Sequence, residues 1–435
     1  MSLNEPAVPS NLHSDPLWSS LAGYFRHAAN QYPDHDVLIF DDFRHSYQSL
    51  DDASTTIARA LAASGVKKGD HVGILMANCP LYFECLLGIT KLGAVAVLVN
   101  ARYKPAELAY IIENADLTLL ITHDLISEYA NFGDLIDQAL TLRETPLLRQ
   151  CILQGNSRKG FVDWQAFLDQ GKQVGNHEIE ASLHSIEADD PCIMMYTSGT
   201  TADPKGCPMH QSMLVRNGQN MNRSRFFLDE NDRFWAPLPM FHMASILPFL
   251  CCVDAGAAMI SMTHVDAGDS LAIMERERAT IAFPSFPTVM QALLDHPDFP
   301  SRDLSNIRRL NNVAPPDVLA KFQAAMPQAV QTGAYGLTEA GGVIAFNHPD
   351  ESLETRLRTC GQPMPGLEAK VVDPDSFETL PAGERGEIWL RGYSVFNGYY
   401  KAPEKNQESF ADGWFRTGDL CAIEDSGQIQ FHGRI

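Results

Sequence analysis

A layered α/β protein of two lobes, closed by a small β-rich subdomain, is the fold class that the sequence predicts, and three observations carry it. Short apolar runs alternate with helical patterns up to residue 122 and again from 191 to 313, the spacing of strands and helices in an α/β layer. Beyond Asn347 this gives way to short β-like runs separated by Gly, Pro and Asp. The 435 residues, 45% hydrophobic and 20% charged, suffice for two or three domains with buried cores. The expected division is a first α/β lobe over 1–185, a second over 186–346, and the β-rich subdomain over 347–435.

The elements follow in order. After a polar N-terminal arm, residues 17–32 have helical spacing, and 36–47 read as a hairpin around Asp41 and Asp42. The spacing predicts helices over 49–64, 81–92 and 105–114, and strands over 71–76, 94–99 and 117–122. Gly88 and Gly93 read as packing and turn glycines. From 122 to 190 the pattern weakens into a charged, loop-rich passage, the expected boundary between the lobes. Alternation resumes with a strand at 191–196, a helix from 210 to about 223, and strands near 233–237, 257–262, 281–283 and 307–313. The β-like runs of the last part are 369–372, 387–391 and 428–432, consistent with a distorted barrel.

Composition also excludes. No apolar run reaches the ~18 residues of a membrane span, and the first residues lack the basic start and apolar centre of a signal peptide, so a cytoplasmic protein is expected. A net charge of -21 argues against sequence-independent binding to nucleic acid, which depends on neutralising phosphates. The nine cysteines form no C-x-x-C pair and predict neither a disulfide framework nor a zinc site.

Four constellations carry chemistry. M-Y-T-S-G-T-T-A-D-P-K-G, 195–206, ends an apolar strand in a hydroxyl-rich loop. Its backbone donors, the hydroxyls of Thr197, Ser198, Thr200 and Thr201, and the Lys205 ammonium suit a polyphosphate. It is not a Walker loop, because Lys205 precedes its glycine. Y-G-L-T-E-A-G-G, 335–342, offers a ring in Tyr335 for a purine and a carboxylate in Glu339 for magnesium, which takes one or two carboxylates plus water and phosphate oxygens. Taken alone it reads better as a helix start, with Thr338 as N-cap and Glu339 in the first turn. G-W-F-R-T-G-D, 413–419, sets Asp419 after a glycine turn, where a carboxylate holds ribose hydroxyls in dinucleotide folds. By itself it is a hairpin turn, and Arg434 in G-R-I is by itself a surface arginine.

Together these motifs stand in the order and spacing of the adenylate-forming family. The chain resembles the acyl-CoA synthetases, the adenylation domains of non-ribosomal peptide synthetases and firefly luciferase. K-G-D-H-V-G-I-L at Lys68, L-G-A-V-A-V-L-V-N at Leu92, P-L-P-M-F-H at Pro237 and G-E-I-W-L-R-G at Gly386 extend the resemblance over nearly the whole chain. It implies a large AMP-binding N-terminal domain over 1–435 and a two-step ligase. A carboxylate attacks the α-phosphate of ATP to give an acyl-adenylate and pyrophosphate, and a thiol then displaces AMP. It further implies that Thr197, Ser198, Gly199, Thr200, Thr201 and Lys205 cradle the phosphates. Ala314, Pro315, Gly333, Ala334 and Tyr335 line the adenine pocket, Thr338 contacts the α-phosphate, Glu339 holds magnesium, and Asp419 and Arg434 bind ribose. Thr197, Lys205, His242, Thr338 and Glu339 are the expected catalytic group, and ATP, Mg2+ and coenzyme A the expected cofactors and second substrate.

The resemblance also bears on the acid and on the ends of the chain. Where adenylation domains for amino acids resemble F-D-x-S, this sequence has Phe241, His242, Met243, Ala244 and Ser245, with no carboxylate for an ammonium group. An aliphatic or aryl acid without an α-amino group is therefore expected, in a pocket of His242, Met243, Ser245, Phe286, Val289, Gly341, Gly342 and Val343. His242 reads alternatively as a packed histidine. Two departures concern loop geometry: Ala202 stands where the family usually has Gly, and Asn311 and Asn312 where it is often glycine-rich. The stop at F-H-G-R-I, just after a strand, points to a truncation that lacks the family's small mobile C-terminal domain and its lysine, which would cripple catalysis. The rival readings are a ligase loading a carrier-protein phosphopantetheine and a catalytically silent nucleotide-binding protein. The partners expected are the small-molecule acid, ATP and CoA, and a homodimer is left open.

Overall fold

The computed structural model describes residues 19–197 and 203–435. The first helix, Leu21–Gln31, starts at Ser20, whose side chain accepts from the Gly23 N–H. The strands Asp36–Phe40 and Phe43–Ser46 form the expected hairpin, turning at Asp41 with φ 42°. Ser46 then caps the helix Tyr47–Ala63 through the Ser49 N–H.

Two seven-stranded sheets build the lobes. The first runs Val162–Asp163, Gln150–Gln154, Leu117–His123, His71–Leu75, Val95–Leu98, Pro191–Thr197 and Lys205–His210, parallel except for the last strand. The second runs Val330–Thr332, Arg309–Asn312, Ile281–Ser285, Arg233–Trp235, Ala258–Ser261, Asp36–Phe40 and Phe43–Ser46, again parallel but for the last. Each sheet alternates its side chains between two cores, as a strand buried on both faces must. Val72 and Ile74 of the first sheet and Leu38 and Phe40 of the second enter one shared core. Leu75, Val95 and Val97 face an outer core of the first lobe, and Ile39 and Trp235 one of the second. Helices Tyr47–Ala63, Pro80–Lys91, Gln211–Met221 and Met243–Ala255 all contribute to the shared core.

Two expectations need correction. The lobes do not divide the chain at 185/186. The hairpin at residues 36–46 crosses into the second sheet, and the strands Pro191–Thr197 and Lys205–His210, expected in the second lobe, complete the first. An apolar run announces a buried strand but not its partner, and here Ile193, Met194 and Met195 find Ala96, Val97 and Leu98. Nor is the passage from 122 to 190 structureless. It holds helices Phe132–Leu140, Trp164–Gln170 and Asn176–His184 and the strand Gln150–Gln154. These elements are short, and their starts rest on polar caps: Asn131 accepts from the Asp134 N–H, and Asp163 from those of Gln165 and Ala166.

The β-rich part follows the second lobe. A three-stranded antiparallel sheet, Ala334–Tyr335, Ala345–Phe346 and Gln362–Pro363, leads into a five-stranded one whose long strand Trp414–Ile423 pairs with Gly386–Gly392 and with Ile429–Arg434. Among the described residues no helix is long and apolar enough to cross a membrane.

Candidate active site

Three neighbouring parallel strands of the second sheet end at Ser285, Asn312 and Thr332, and a cavity of about 380 Å³ lies beside those ends. Ligands of open α/β sheets collect outside the carboxyl ends of the strands. Phe283, Ser285, Phe286, Asn311, Val313, Ala334, Tyr335 and Gly336 come from the strand ends and the segments after them. Met221, Ala244 and Leu247 come from helices, Gly342, Val343, Phe346 and Cys360 from the segment after Tyr335, and Asp419, Phe431 and Arg434 from the β-rich subdomain.

Asp419 is the charged centre of this wall. It lies opposite Arg434 in the antiparallel register, and its N–H donates to Thr417 Oγ1 at 3.0 Å. The Tyr335 hydroxyl donates to Asp419 Oδ2 at 2.6 Å, and the Tyr335 ring stacks on Phe431 with centroids 5.5 Å apart. Arg434 Nε is 2.9 Å from Oδ1 as an ion pair, yet Oδ1 is buried and accepts no hydrogen bond among the described residues. Burial raises the Asp419 carboxyl above the ordinary 3.8; the Tyr335 hydrogen bond and Arg434 oppose the rise and Glu387 adds to it. Burial likewise pushes the Tyr335 hydroxyl up, with Cys421 and Asp419 adding to it, so the tyrosine is the donor.

A second cluster surrounds the base of the hydroxyl-rich loop. Thr197 and Lys205 face each other across the hairpin, both half-buried, and close the loop at its base. Ser198, Gly199, Thr200, Thr201 and Ala202 lie outside the described residues. Thr338 opens a 3₁₀ turn, Thr338–Ala340, capped at Leu337 without a side-chain bond, so the alternative of Thr338 as N-cap fails. This turn packs on the strand Lys205–His210. A strap from the β-rich subdomain ties the two: the Phe396 N–H donates to Glu339 O at 2.9 Å, the Tyr399 hydroxyl to Glu339 Oε1 at 2.8 Å, and the Tyr400 N–H to Gly206 O at 2.8 Å. Tyr400 and Lys401 then anchor on Asp116 of the first lobe, both at 2.7 Å.

Of the residues singled out by sequence, the cavity gathers Phe286, Gly342, Val343, Ala334, Tyr335, Asp419 and Arg434. Others stand outside its lining. The helix Met243–Ala255 turns Ala244 and Leu247, three residues apart, to the cavity, so Met243 and Ser245 point elsewhere and are buried. Val289 packs into the outer core of the second lobe. The Gly341 carbonyl accepts from Asn217 Nδ2 at 3.0 Å, and the Gly333 N–H donates to Asn347 Oδ1 at 2.8 Å. Val313 takes the lining place, with Ala314 half-buried and Pro315 exposed after it. His242 is exposed before its helix, its ring 4.6 Å from that of Phe241; partial desolvation and the Arg102 charge lower its pKa.

Sequence reasoning missed Met221, Phe283, Phe346 and Phe431 in the lining, and Tyr399 against Glu339. No local pattern marks them, because each belongs to an element whose partner is distant in sequence. It missed strain as well. Ser285 is a non-glycine residue at φ 53°, its Oγ bonded to Asn311 Oδ1 at 3.1 Å. Asn311 and Asn312 brace the strand ends: Asn311 Nδ2 donates to Thr332 O, and Asn312 Nδ2 to Gln331 Oε1.

Comparison with known proteins bears on the same region. The family model described as AMP-binding enzyme matches residues 25–400. YngI of Bacillus subtilis, provisionally named an acyl-CoA synthetase, is 32% identical over 438 residues, covering 96% of this chain and 79% of that protein. The N-terminal domain of FACL13 from Mycobacterium tuberculosis, solved with an inhibitor, is 25% identical with a TM-score of 0.83, covering 96% of this chain and 100% of that one. The anthranilate CoA ligase AuaEII, solved with anthranoyl-AMP, is 26% identical with a TM-score of 0.83, covering 97% of this chain and 79% of that one.

Proposed function

Since the chain belongs to the family of AMP-binding enzymes and its relatives are acyl-CoA ligases, we propose that it is an ATP-dependent ligase joining a carboxylic acid without an α-amino group to coenzyme A. The observation that carries this reading is the Asp419 carboxylate, buried and met at Oδ1 only by the Arg434 ion pair among the described residues, on the wall of a cavity whose remaining lining is largely apolar. A ribose hydroxyl satisfies that oxygen, with Arg434 beside it holding the carboxylate charge. Tyr335, fixed by Asp419 and backed by Phe431, offers its ring to the adenine, with Val313, Ala314, Pro315, Gly333 and Ala334 along its edges.

The phosphates then extend toward Thr338 and the loop from Thr197 to Lys205. One acid oxygen forms the bond to the α-phosphorus as the bond to pyrophosphate breaks; a thiol sulfur later takes the acyl carbon and AMP leaves. Thr338 contacts the α-phosphate, and Lys205 meets charge developing on the transferred group. Among the described residues no three His, Cys, Asp or Glu side chains cluster as a metal site. Magnesium needs fewer: one carboxylate suffices when phosphate oxygens and water complete its shell, and the half-buried Glu339 next to the phosphate hairpin fits that need. When bound, the ion neutralises phosphate charge, while Tyr399 fixes the orientation of Glu339. His242 stands at the start of the helix that lines the acid side, without a carboxylate to bind an ammonium group.

A pyrophosphate-release screen of the full-length protein across short, medium, long, aromatic and amino acids tests the reading. Release with a fatty or aryl acid and none with amino acids is expected. Release with amino acids alone overturns the acid class, and nucleotide binding without release by any acid favours a silent nucleotide-binding protein.

A further inference from the structure

The apolar part of the cavity is closed from behind. Phe283, Phe346 and Met221 line it, exposed by 7%, 1% and 1%. Behind them sits Phe226, itself 2% exposed, with ring centroids 6.1 Å from Phe283, 5.2 Å from Phe346 and 5.0 Å from Phe234. Among the described residues these rings form a packed, buried wall. Its geometry has an unusual source. The helix Gln211–Met221 does not end in an ordinary cap but passes into a π-helical turn, Asn222–Phe226, stopped by Phe227 at φ 51°. Wider turns of this kind gather at functional sites because they re-aim the side chains around them. Here the turn carries Met221 at its start, on the cavity, and Phe226 at its end, in the aromatic cluster. Side-chain hydrogen bonds tie it on several sides. Asn222 Nδ2 donates to Asp254 Oδ2 at 2.9 Å, the Leu228 N–H donates to Asn222 Oδ1 at 2.7 Å, and Arg225 Nε donates to the carbonyl of Phe346 at 2.8 Å.

We propose that this π-helical turn is the size gauge of the enzyme, with Met221 and Phe346 as the residues that set the largest acid accepted, and that the preferred substrate is a compact acid and not a long-chain one. The inference rests on the reading of the cavity as the acyl-adenylate site. Its about 380 Å³ is near the lower end of the roughly 300–1,000 Å³ of ligand pockets, and the nucleoside contacts of Asp419, Tyr335 and Arg434 take their share of it. An acyl chain gains affinity with each methylene it buries until it meets the wall, and loses it beyond, because the packed phenylalanines cannot move aside without breaking ring contacts on both sides.

The test is a series of acyl-sulfamoyl-adenosines, from two to sixteen acyl carbons and including a benzoyl member, titrated calorimetrically into the full chain. Affinity should rise about fourfold per methylene, the ~0.8 kcal/mol of a buried CH₂, pass through a maximum at short or medium length, and fall by tenfold or more for the longest members. Met221→Ala should move the maximum to longer chains, and Phe346→Leu does the same if Met221→Ala proves too unstable to measure. A steady rise to the longest chain in the unaltered protein, or a maximum that both variants leave in place, overturns the proposal. Failure of unacylated sulfamoyl-adenosine and of every acyl member to bind would instead sink the adenylate reading itself.

Discussion

Asp419 concentrates the chemistry of the site in one side chain, and its electrostatics yield two predictions. Removing a charged acceptor from a hydrogen bond costs roughly 1.5–3 kcal/mol, so Asp419→Ala should weaken adenosine and AMP alike, since both carry the same ribose. Calorimetry showing unchanged adenosine affinity would reduce Asp419 to a structural residue. On the proposed reading the carboxyl must be ionised to accept from the ribose hydroxyls, and burial places its pKa above 3.8. Adenosine affinity should therefore fall as pH drops through that raised value, and the Asp419→Asn profile should be flat over the same window. The stability sign is opposite. With the folded pKa raised, the contribution of this group is fully present below the unfolded value and is lost as pH rises through the folded one, so Asp419→Asn should be no less stable than the unaltered protein at neutral pH. Ser285 gives a prediction of stability. Its left-handed backbone costs of order 1 kcal/mol that glycine avoids, and its hydrogen bond to Asn311 returns about as much. Ser285→Gly should unfold near the midpoint of the unaltered protein, and Ser285→Ala, which keeps the strain and loses the bond, about 1 kcal/mol earlier in urea. Asp419 and Tyr335 were legible in sequence because each sits in a motif; Phe431 and Ser285 were not, because stacking and strain have no spacing.

At the scale of elements, close approach and tying decide what the chain tolerates. The helix Pro80–Lys91 crosses the helix Tyr47–Ala63 at Gly88, where an added Cβ would come within 2.8 Å of Ile57 Cγ2 and 2.9 Å of Ser54 O. Alanine favours a helix by about 1 kcal/mol over glycine, but overpacking of this kind costs about 1–3 kcal/mol, so Gly88→Ala should lower stability in denaturant titration. A stabilised variant would contradict the packing. The strap at 396–401 joins the Glu339 turn, the hairpin at Gly206 and the first lobe. Tyr399→Phe removes the only hydroxyl seen on Glu339 Oε1 among the described residues and should raise the magnesium needed for half-maximal pyrophosphate release severalfold while adenosine affinity stays constant. Loss of both together would mean the strap has merely come apart. Helices and strands with strong periodicity, such as those at 49–64 and 71–76, could be read from sequence; the helix Phe132–Leu140 was missed although Phe132, Ile136 and Ala139 form a buried stripe on one face, because it lies within a charged, loop-rich passage, and the seven-residue helix Trp164–Gln170 buries only Phe167.

At the scale of the whole molecule, two parallel sheets share one core and present their strand ends to a β-rich subdomain that supplies Asp419, Phe431 and Arg434. Sequence predicted the layers but not the exchange between them, because a hydrophobic run specifies a face and leaves the neighbour open. That exchange places the hairpin of Thr197 and Lys205 on the first sheet and the cavity on the second. On the reading proposed above, a ligand with a nucleoside at one end and an apolar acid at the other meets both the Asp419 carboxylate and the apolar wall. Titration of an acyl-sulfamoyl-adenosine against adenosine and against the free acid measures this most directly. The joined analogue should bind at least a hundredfold tighter than either part, and Asp419→Ala should remove most of that gain. An analogue that binds no better than adenosine alone would contradict it.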